Sequence, residues 1–471
     1  MTKRRNSYTA VLFLAGLVSA LLYLGLGLGP TATGFQALTR PAHGLSAPLA
    51  LKRPLTPEEE RREKKEAVYP DRSAAIRPLR HSLGTSVPSF SDILDAFCRL
   101  TQEADPALNQ LLDRDHVFIE LYGGTQRVLG RRIIEDTDPQ YTVVKLEGDL
   151  LTFAALEGEP VDMTTRAEEM IDFAKRVSKE YHTPLLYVQA PSKLNVSPLP
   201  EGIEEYSDRE ADQFLALLKE GKVDTLDLRP VFAEAAQEDP EGARELFYRT
   251  DHHWSPQGAF LGYQTLCEKL EKRYRFKIDE ELTDPEEFDK YSFRATFLGS
   301  QGRRVGSLYA GEDDVEIWSP KFSTNLTYSV PLLGIKREGP FVVSMLFPER
   351  LAETDRYDTN PYTIYAGGDY LLSRAYNEKN PMGKRVLILR DSFGCGLTPF
   401  LSLCCQEVIA MDPRQFNGNQ DMMMHYIDWL EPDLIIVLNS TGSLRVDKLY
   451  PYLPTARAAA LTDKRAEEET S

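Results

Sequence analysis

The stretch Arg385–Gly396, RVLILRDSFGCG, runs from a short apolar segment through a serine into a glycine-flanked helix start. A continuous apolar run of this length reads as a strand covered on both faces, as in a parallel sheet. A serine at the carboxyl end of such a strand lies in the crevice where open α/β sheets bind ligands. The first N–H groups of the following helix have no internal partner and can face developing negative charge. Gly394 and Gly396 allow a tight turn or a close approach of substrate to the backbone. Ser392 is therefore a candidate nucleophile, with an ordinary helix N-cap as the alternative reading.

The same pattern repeats outward from this point. Leu185–Val188, Val223–Leu228, Val408–Met411 and Leu434–Leu438 read as short strands. Thr165–Lys179, Asp208–Lys219 and Pro256–Leu270 carry helical spacing, as do segments near 398–405 and 421–430. This alternation predicts an α/β domain with a mainly parallel sheet over about 90–450. His116–Leu121 (HVFIEL) and Tyr141–Leu146 (YTVVKL) also read as strands. Residues of about 274–370 are less regular, with strand candidates at Val305–Tyr309, Thr327–Leu333 and Phe341–Leu346, and read as an inserted subdomain beside the sheet.

Before this domain, Lys3, Arg4 and Arg5 precede an uncharged apolar stretch over 9–29. As a helix it reaches ~30 Å, enough to span a bilayer, and the cations place residues 1–8 inside. An uncleaved transmembrane anchor is the preferred expectation over a cleaved signal sequence, because the run exceeds a usual signal core. Either reading exports the domain. Residues 30–89, with the charged block Glu58–Glu66, read as a linker, Ser91 as the cap of a first helix, and 451–471 as a polar tail.

The 471 residues carry 55 Lys and Arg against 72 Asp and Glu, a formal charge of −17. That balance repels phosphate backbones and argues against a nucleic-acid partner. Five cysteines, Cys98, Cys267, Cys395, Cys404 and Cys405, show neither a CxxC pair nor ligand spacing, so no structural metal or disulfide framework is expected.

A serine nucleophile needs a base, and seven histidines are available. His43 and His81 fall in the linker, and His116 and His182 sit at the edges of strand-like segments; His425 is a further candidate. The informative pair lies in Thr250–Phe260, TDHHWSPQGAF. In an extended segment Asp251 and His253 project to one side, where a carboxylate can hold an imidazole's tautomer, and His252 projects to the other. On that geometry His252 is the weaker base and two histidines cannot share a metal ion. Trp254 offers either a wall to the imidazole or a sugar, or plain core packing. Ser255 and Pro256 read as N-cap and first residue of the next helix.

At this point the sequence resembles the DHHW family, a branch of the SGNH-hydrolase-like proteins related to the periplasmic alginate O-acetyltransferases. The resemblance runs through His116–Arg132, LLYVQAPSKL (Leu185–Leu194), VDTLDLR (Val223–Arg229), FYRTDHHWSP (Phe247–Pro256), RVLILRDSFG (Arg385–Gly394) and VIAMDPR (Val408–Arg414). It implies an SGNH-like three-layer sandwich with a Ser392, His253 and Asp251 triad, supported by Asp391. It implies an oxyanion hole from the Ser392 and Gly394 turn and a Gly-Gly-Asn-like loop. Here that loop is matched by Ala366–Tyr370 (AGGDY), where Gly367 and Gly368 are in place but Asp369 stands for Asn. Arg390 likewise replaces a glycine and is expected to shape the substrate channel. The implied activity is O-acetyl transfer to, or hydrolysis from, an extracytoplasmic polysaccharide, without a cofactor or metal. A multispanning membrane acyltransferase is the implied acetyl donor. The rival expectation, motivated by Asp369 and Arg390, is an inactive membrane-tethered component that binds glycan or assembles polysaccharide.

Overall fold

The computed structural model describes residues 116–449, except 137, 155–158, 353–354, 417–419 and 447–448. The expected anchor or signal sequence, linker, first helix and polar tail lie outside the described residues. No helix among the described residues is long and apolar enough to cross a membrane.

The described chain opens with helix α1 (Val117–Val128), followed by β1 (Ile133–Ile134), β2 (Val143–Lys145) and β3 (Leu151–Phe153). Then come α2 (Thr164–Tyr181), β4 (Leu185–Gln189), α3 (Ser207–Glu220), β5 (Asp224–Asp227) and α4 (Pro256–Tyr274). A ribbon of β6 (Phe288–Phe297) and β7 (Asp313–Pro320) precedes β8 (Leu326–Val330), β9 (Ile335–Gly339) and β10 (Leu372–Asn377). The chain then forms β11 (Arg385–Arg390), α5 (Gly394–Cys404), β12 (Glu407–Met411), α6 (Gln420–Leu430) and β13 (Leu434–Asn439).

Eight strands make the main sheet, in the order β5-β4-β13-β11-β12-β10-β8-β9. The first five are parallel, and β10, β8 and β9 continue the sheet antiparallel. Strand β11 is central, and its residues divide by parity between two cores. Val386 and Ile388 join Leu266, Tyr263 and Phe260 of α4 and Leu397, Phe400 and Leu401 of α5 on one face. Leu387 and Leu389 join Met170 and Phe173 of α2, Phe214 and Leu218 of α3, and Met423 and Ile427 of α6 on the other. This is a mixed, mostly parallel α/β sandwich. Cys267, Cys395, Cys404 and Cys405 are buried free thiols that help fill it.

Four expectations change. The strand expected at His116–Leu121 is the start of α1. Its apolar side chains lie largely on the exposed face, while Gly123 and Gln126, three residues apart, are buried. A Cβ at Gly123 would collide with the Val305 carbonyl, so the helix can approach there only as glycine. Glu120, one turn earlier, accepts the Ser307 and Leu308 N–H groups at 2.8 Å each. The segment expected as a strand at Val305–Tyr309 is correspondingly two short helices, Gly302–Val305 and Ser307–Ala310, broken at Gly306 with φ 80°. Phe341–Leu346 begins as a short helix behind Pro340, whose carbonyl accepts the Ser344 hydroxyl at 3.0 Å. Finally, the inserted segment does not merely lie beside the sheet, since β8 and β9 form its antiparallel edge. The strand expected at Tyr141–Leu146 is present as β2, in a separate three-stranded antiparallel sheet with β1 and β3.

Candidate active site

Two loops meet at the carboxyl end of β11. The first is the turn Asp391–Phe393, between β11 and α5. Asp391 organises it: its carboxylate accepts Phe393 N–H at 2.9 Å, Ser440 N–H at 2.7 Å and the Ser443 hydroxyl at 2.6 Å. The last two come from the end of neighbouring β13, so the turn is tied to the adjacent strand. Ser392 stands half-buried at its apex.

The second loop is a tight reversal over 247–254. Phe247 and Trp254 form an antiparallel bridge, and Tyr248 N–H meets His253 O at 3.2 Å. Ser255 caps α4 through Gly258 N–H, with Pro256 as the first helical residue, as the sequence predicts. The reversal corrects the extended geometry expected for 251–253. Asp251 Oδ1 accepts both the backbone N–H of His253 at 3.1 Å and its Nδ1–H at 2.5 Å. The two imidazoles do not face opposite ways: their centroids are 3.8 Å apart. Asp251, His252 and His253 thus gather their potential ligand atoms within 4.8 Å. Both His253 nitrogens are nevertheless engaged within the protein.

The loops join through Ser392 Oγ, 2.7 Å from His253 Nε2. Since an ionised carboxylate can only accept, the proton of His253 belongs on Nδ1, which leaves Nε2 to accept the serine hydroxyl. Burial opposes a charge on Asp251, but His253, His252 and the hydrogen bonds from His253 and Ser300 outweigh it and hold the carboxyl well below its usual range. Asp251 is therefore ionised and holds the Nδ1–H of His253. Desolvation, followed by the neighbouring His253, pushes the His252 pKa down. Its ring is half-exposed, and Nδ1 meets Ser300 Oγ at 2.7 Å.

The remaining expected site residues have other surroundings. Trp254 is fully buried and donates Nε1–H to Phe393 O at 3.1 Å, so it fastens the two loops together and presents no wall to solvent. Arg390 is 1% exposed and does not shape a channel. Its guanidinium holds Asp369 Oδ1 at 2.5 Å and Gly368 O at 2.8 Å. Arg414 takes Asp369 Oδ2 at 2.8 Å. Although burial works against it, the two arginines keep the Asp369 carboxyl far below its ordinary range. The two departures from the family pattern are thus partners of one another. Gly394 is required beside this pair, because a Cβ there would overlap the Arg390 side chain. Gly367 and Gly368 adopt φ 76° and 142°, backbone that suits glycine. His425 is exposed on α6.

Four contributors were not singled out in the sequence. The Tyr362 ring stacks on His253 at 3.8 Å and 10°. Its hydroxyl meets Ser392 O at 2.9 Å, Phe393 O at 3.0 Å and Gly396 N–H at 3.2 Å. Ser300 N–H donates to Asp251 Oδ2 at 2.7 Å. Asp313 accepts Arg249 N–H at 2.9 Å, Thr250 N–H at 2.7 Å and the Thr250 hydroxyl at 2.6 Å. Buried Lys193 donates to Leu151 O, to Arg249 O at 3.0 Å and to Gln301 Oε1 at 2.9 Å. The one sequence signal was the position of Lys193, just beyond the end of a covered strand.

Two family models match the chain: "SGNH hydrolase-like domain, acetyltransferase AlgX" at residues 145–287 and "DHHW protein" at residues 241–411. No curated protein gives a match. Among solved structures the chain is similar to PatB1 of Bacillus cereus bearing a sulfonyl adduct, with 18% identity, TM-score 0.54, and 67% of this chain and 98% of that one covered. A second PatB1 structure gives 20% identity and TM-score 0.52, covering 67% of this chain and 99% of that one. A DHHW family protein from Eubacterium siraeum gives 16% identity and TM-score 0.52, covering 68% of this chain and 97% of that one. At these identities the structural likeness concerns the fold. The two family models overlap across the His253 loop, and the second runs on past Ser392 to the end of β12; across 145–411 the chain matches the SGNH-hydrolase-like and DHHW families.

Proposed function

We propose that this protein is an exported serine-dependent O-acetyltransferase or acetylesterase acting on an extracytoplasmic polysaccharide. The observation that carries the proposal is the unbroken line Ser392 Oγ, His253 Nε2, His253 Nδ1 and Asp251 Oδ1, with steps of 2.7 and 2.5 Å, at the end of the central strand. A hydroxyl hydrogen-bonded to a neutral imidazole, itself held by a buried carboxylate, is the arrangement that activates serine toward an acyl carbon.

In the first half-reaction Ser392 Oγ attacks the acetyl carbonyl and its proton passes to His253 Nε2. Asp251 stabilises the imidazolium. The oxyanion is assigned to the Ser392 backbone N–H and to backbone donors of the Gly367–Gly368 turn, with Asp369 neutralised by Arg390 and Arg414. Collapse breaks the ester bond, and His253 returns its proton to the leaving oxygen. A sugar hydroxyl then gives its proton to His253 and attacks the acetyl-serine; the acetyl–Ser392 bond breaks as His253 returns that proton to Ser392 Oγ, and water in place of the sugar yields acetate.

The family model described as an acetyltransferase favours transfer, and PatB1 of the related fold carries a sulfonyl adduct in one solved structure. By the same family reading, the acetyl group reaches the domain from a multispanning membrane acyltransferase, and the N-terminal apolar stretch tethers the domain outside the membrane. A sulfonyl fluoride probe tests the first step: wild type should be modified at Ser392 and Ser392→Ala should not. His253→Ala should slow turnover of a simple acetyl ester by ~10²-fold or more. A folded wild-type protein that neither labels nor turns over would instead favour a glycan-binding or assembly role.

A further inference from the structure

Among the described residues, the site opens to solvent beside His252. His253 is enclosed by Tyr362 and Asp251, but the neighbouring His252 side chain is 39% exposed. From His252 a row of aromatic residues leads away over the small β1–β3 sheet. The Phe153 ring lies 6.5 Å from His252, and Tyr141 lies edge-on to Phe153 at 5.8 Å. The Arg304 guanidinium sits 3.9 Å over the Tyr141 ring and pairs with Asp136 at 3.0 Å. Phe153 and Tyr141 are half-buried, and Arg304 is exposed. Phe153 packs only partly against the small cluster of Ile134, Val143 and Leu151 beneath it.

The position of this row is fixed by the same contacts that fix the base. β3 ends at Phe153, and Leu151 N–H in that strand donates to Arg249 O at 2.8 Å, two residues before Asp251. Lys193 bridges the Leu151 and Arg249 carbonyls. On the other side, Arg304 follows Ser300 and Gln301, which are bonded to Asp251 and Lys193 respectively. The aromatic row and the His253 loop are therefore parts of one hydrogen-bonded assembly.

We infer that Phe153, Tyr141 and the Arg304–Asp136 pair form a saccharide-binding track that leads the acceptor to Ser392. The inference rests on the acyl-transfer reading above and names the acceptor side of that site. The chemistry favours a sugar over the other occupants of an open flank. A pyranose offers a C–H face that covers an aromatic ring and a rim of hydroxyls. A paired guanidinium and carboxylate can donate to and accept from such hydroxyls together. An extended acyl chain would cover the rings and leave the ion pair without use, and a polyanion meets a chain of net charge −17.

The test separates acceptor use from the triad. The full-length protein is assayed with a non-aromatic acetyl thioester, read by thiol release, alone and with cello- and chito-oligosaccharides of increasing length. Phe153→Leu, which keeps apolar volume but loses the flat face, should leave basal thioester hydrolysis unchanged. It should raise the concentration of oligosaccharide giving half-maximal stimulation about five- to tenfold. Tyr141→Phe should behave as wild type, because it keeps the ring that supports Arg304, whereas Arg304→Met should weaken only the longer oligosaccharides. Equal loss of basal hydrolysis and stimulation in Phe153→Leu would overturn the track in favour of a structural or donor-side role, and so would unaltered stimulation. A wild-type enzyme that hydrolyses the thioester but responds to no oligosaccharide would overturn the saccharide assignment and leave the triad standing. Absence of both hydrolysis and Ser392 labelling would sink the acyl-transfer reading itself.

Discussion

The serine side and the histidine side of the site are held by different physics. Ser392 inherits its position from the sheet. Strand β11 is flanked by parallel β12 and β13, its side chains are buried on both faces, and Asp391 ties the turn to the end of β13. The His253 loop lies outside the sheet ladder and is fixed by polar bonds from distant segments: Ser300 to Asp251, Asp313 to Arg249 and Thr250, and Lys193 to the Arg249 carbonyl. Hydrophobic burial is nondirectional and sets a strand end broadly, whereas buried polar groups specify one geometry and lose it when one partner is removed. Damage to the histidine side should therefore appear mainly in catalysis, and damage to the serine side mainly in stability.

The largest expected effect lies at Asp251. Asp251→Asn keeps the size of the side chain but offers an amide that can present N–H toward His253, favouring the tautomer whose Nε2 is protonated and cannot accept the Ser392 proton. On the proposed mechanism turnover should fall by ~10³-fold or more with little change in thermal unfolding. A loss below tenfold would remove Asp251 from the orienting role.

Lys193→Met tests whether the remote bonds matter to the chemistry. The substitution leaves the Leu151 and Arg249 carbonyls and the Gln301 side chain without their shared donor. Turnover of a small acetyl ester should drop about tenfold, a shift of roughly 1.4 kcal/mol in the barrier. Stability carries a separate signature. Burial, against the attraction of Asp313 and Asp251, pushes the Lys193 pKa down from 10.5 to about 7. Between those values the unfolded chain binds a proton that the folded chain has released, so the stability of wild type relative to Lys193→Met should rise as pH climbs from about 7 toward 10.5. Paired chemical unfolding curves across that window measure it. A difference that is flat or falls with pH would contradict a buried, destabilised ammonium.

On the serine side the counterpart is Gly394→Ala. Its new methyl must displace Arg390, which is buried and held by Asp369 and Gly368. A stability loss of about 1–3 kcal/mol follows from overpacking at a site that cannot relax cheaply. If Gly394→Ala instead leaves the unfolding midpoint in place and abolishes turnover, the contrast between the two sides is wrong.

The sequence made the sheet legible because covered strands are continuous apolar runs, and β4, β11, β12 and β13 all have that form. It misled at α1, where exposed Val117, Phe118 and Leu121 imitate a strand and the residues that decide are Glu120, Gly123 and Gln126. It misled again at 251–253, because an extended segment and a tight reversal share the same residues, and only the bridge between Phe247 and Trp254 distinguishes them. Ser392, Asp251 and His253 were readable as chemistry-bearing types in suggestive settings. Tyr362, Ser300, Asp313 and Lys193 were not, since each acts through a contact made at long range. The same holds for Arg390 and Asp369, two departures that look harmful singly and neutralise one another once the fold brings them together.

The smallest effect is expected where the two sides are joined. The Tyr362 ring lies flat against His253, and its hydroxyl reaches the Ser392 and Phe393 carbonyls and the Gly396 N–H. Burial raises the phenol pKa well above its ordinary value, so it stays protonated and donates to a carbonyl throughout the working pH range. Tyr362→Phe keeps the stack and removes only this bridge. One neutral hydrogen bond of about 1 kcal/mol corresponds to roughly a fivefold fall in turnover. Tyr362→Leu, which removes the stack as well, should cost more, because the imidazole can then rotate away from Ser392. If the two variants are equal, the ring contributes nothing to the orientation of His253, and the Asp251 carboxylate alone fixes the imidazole plane.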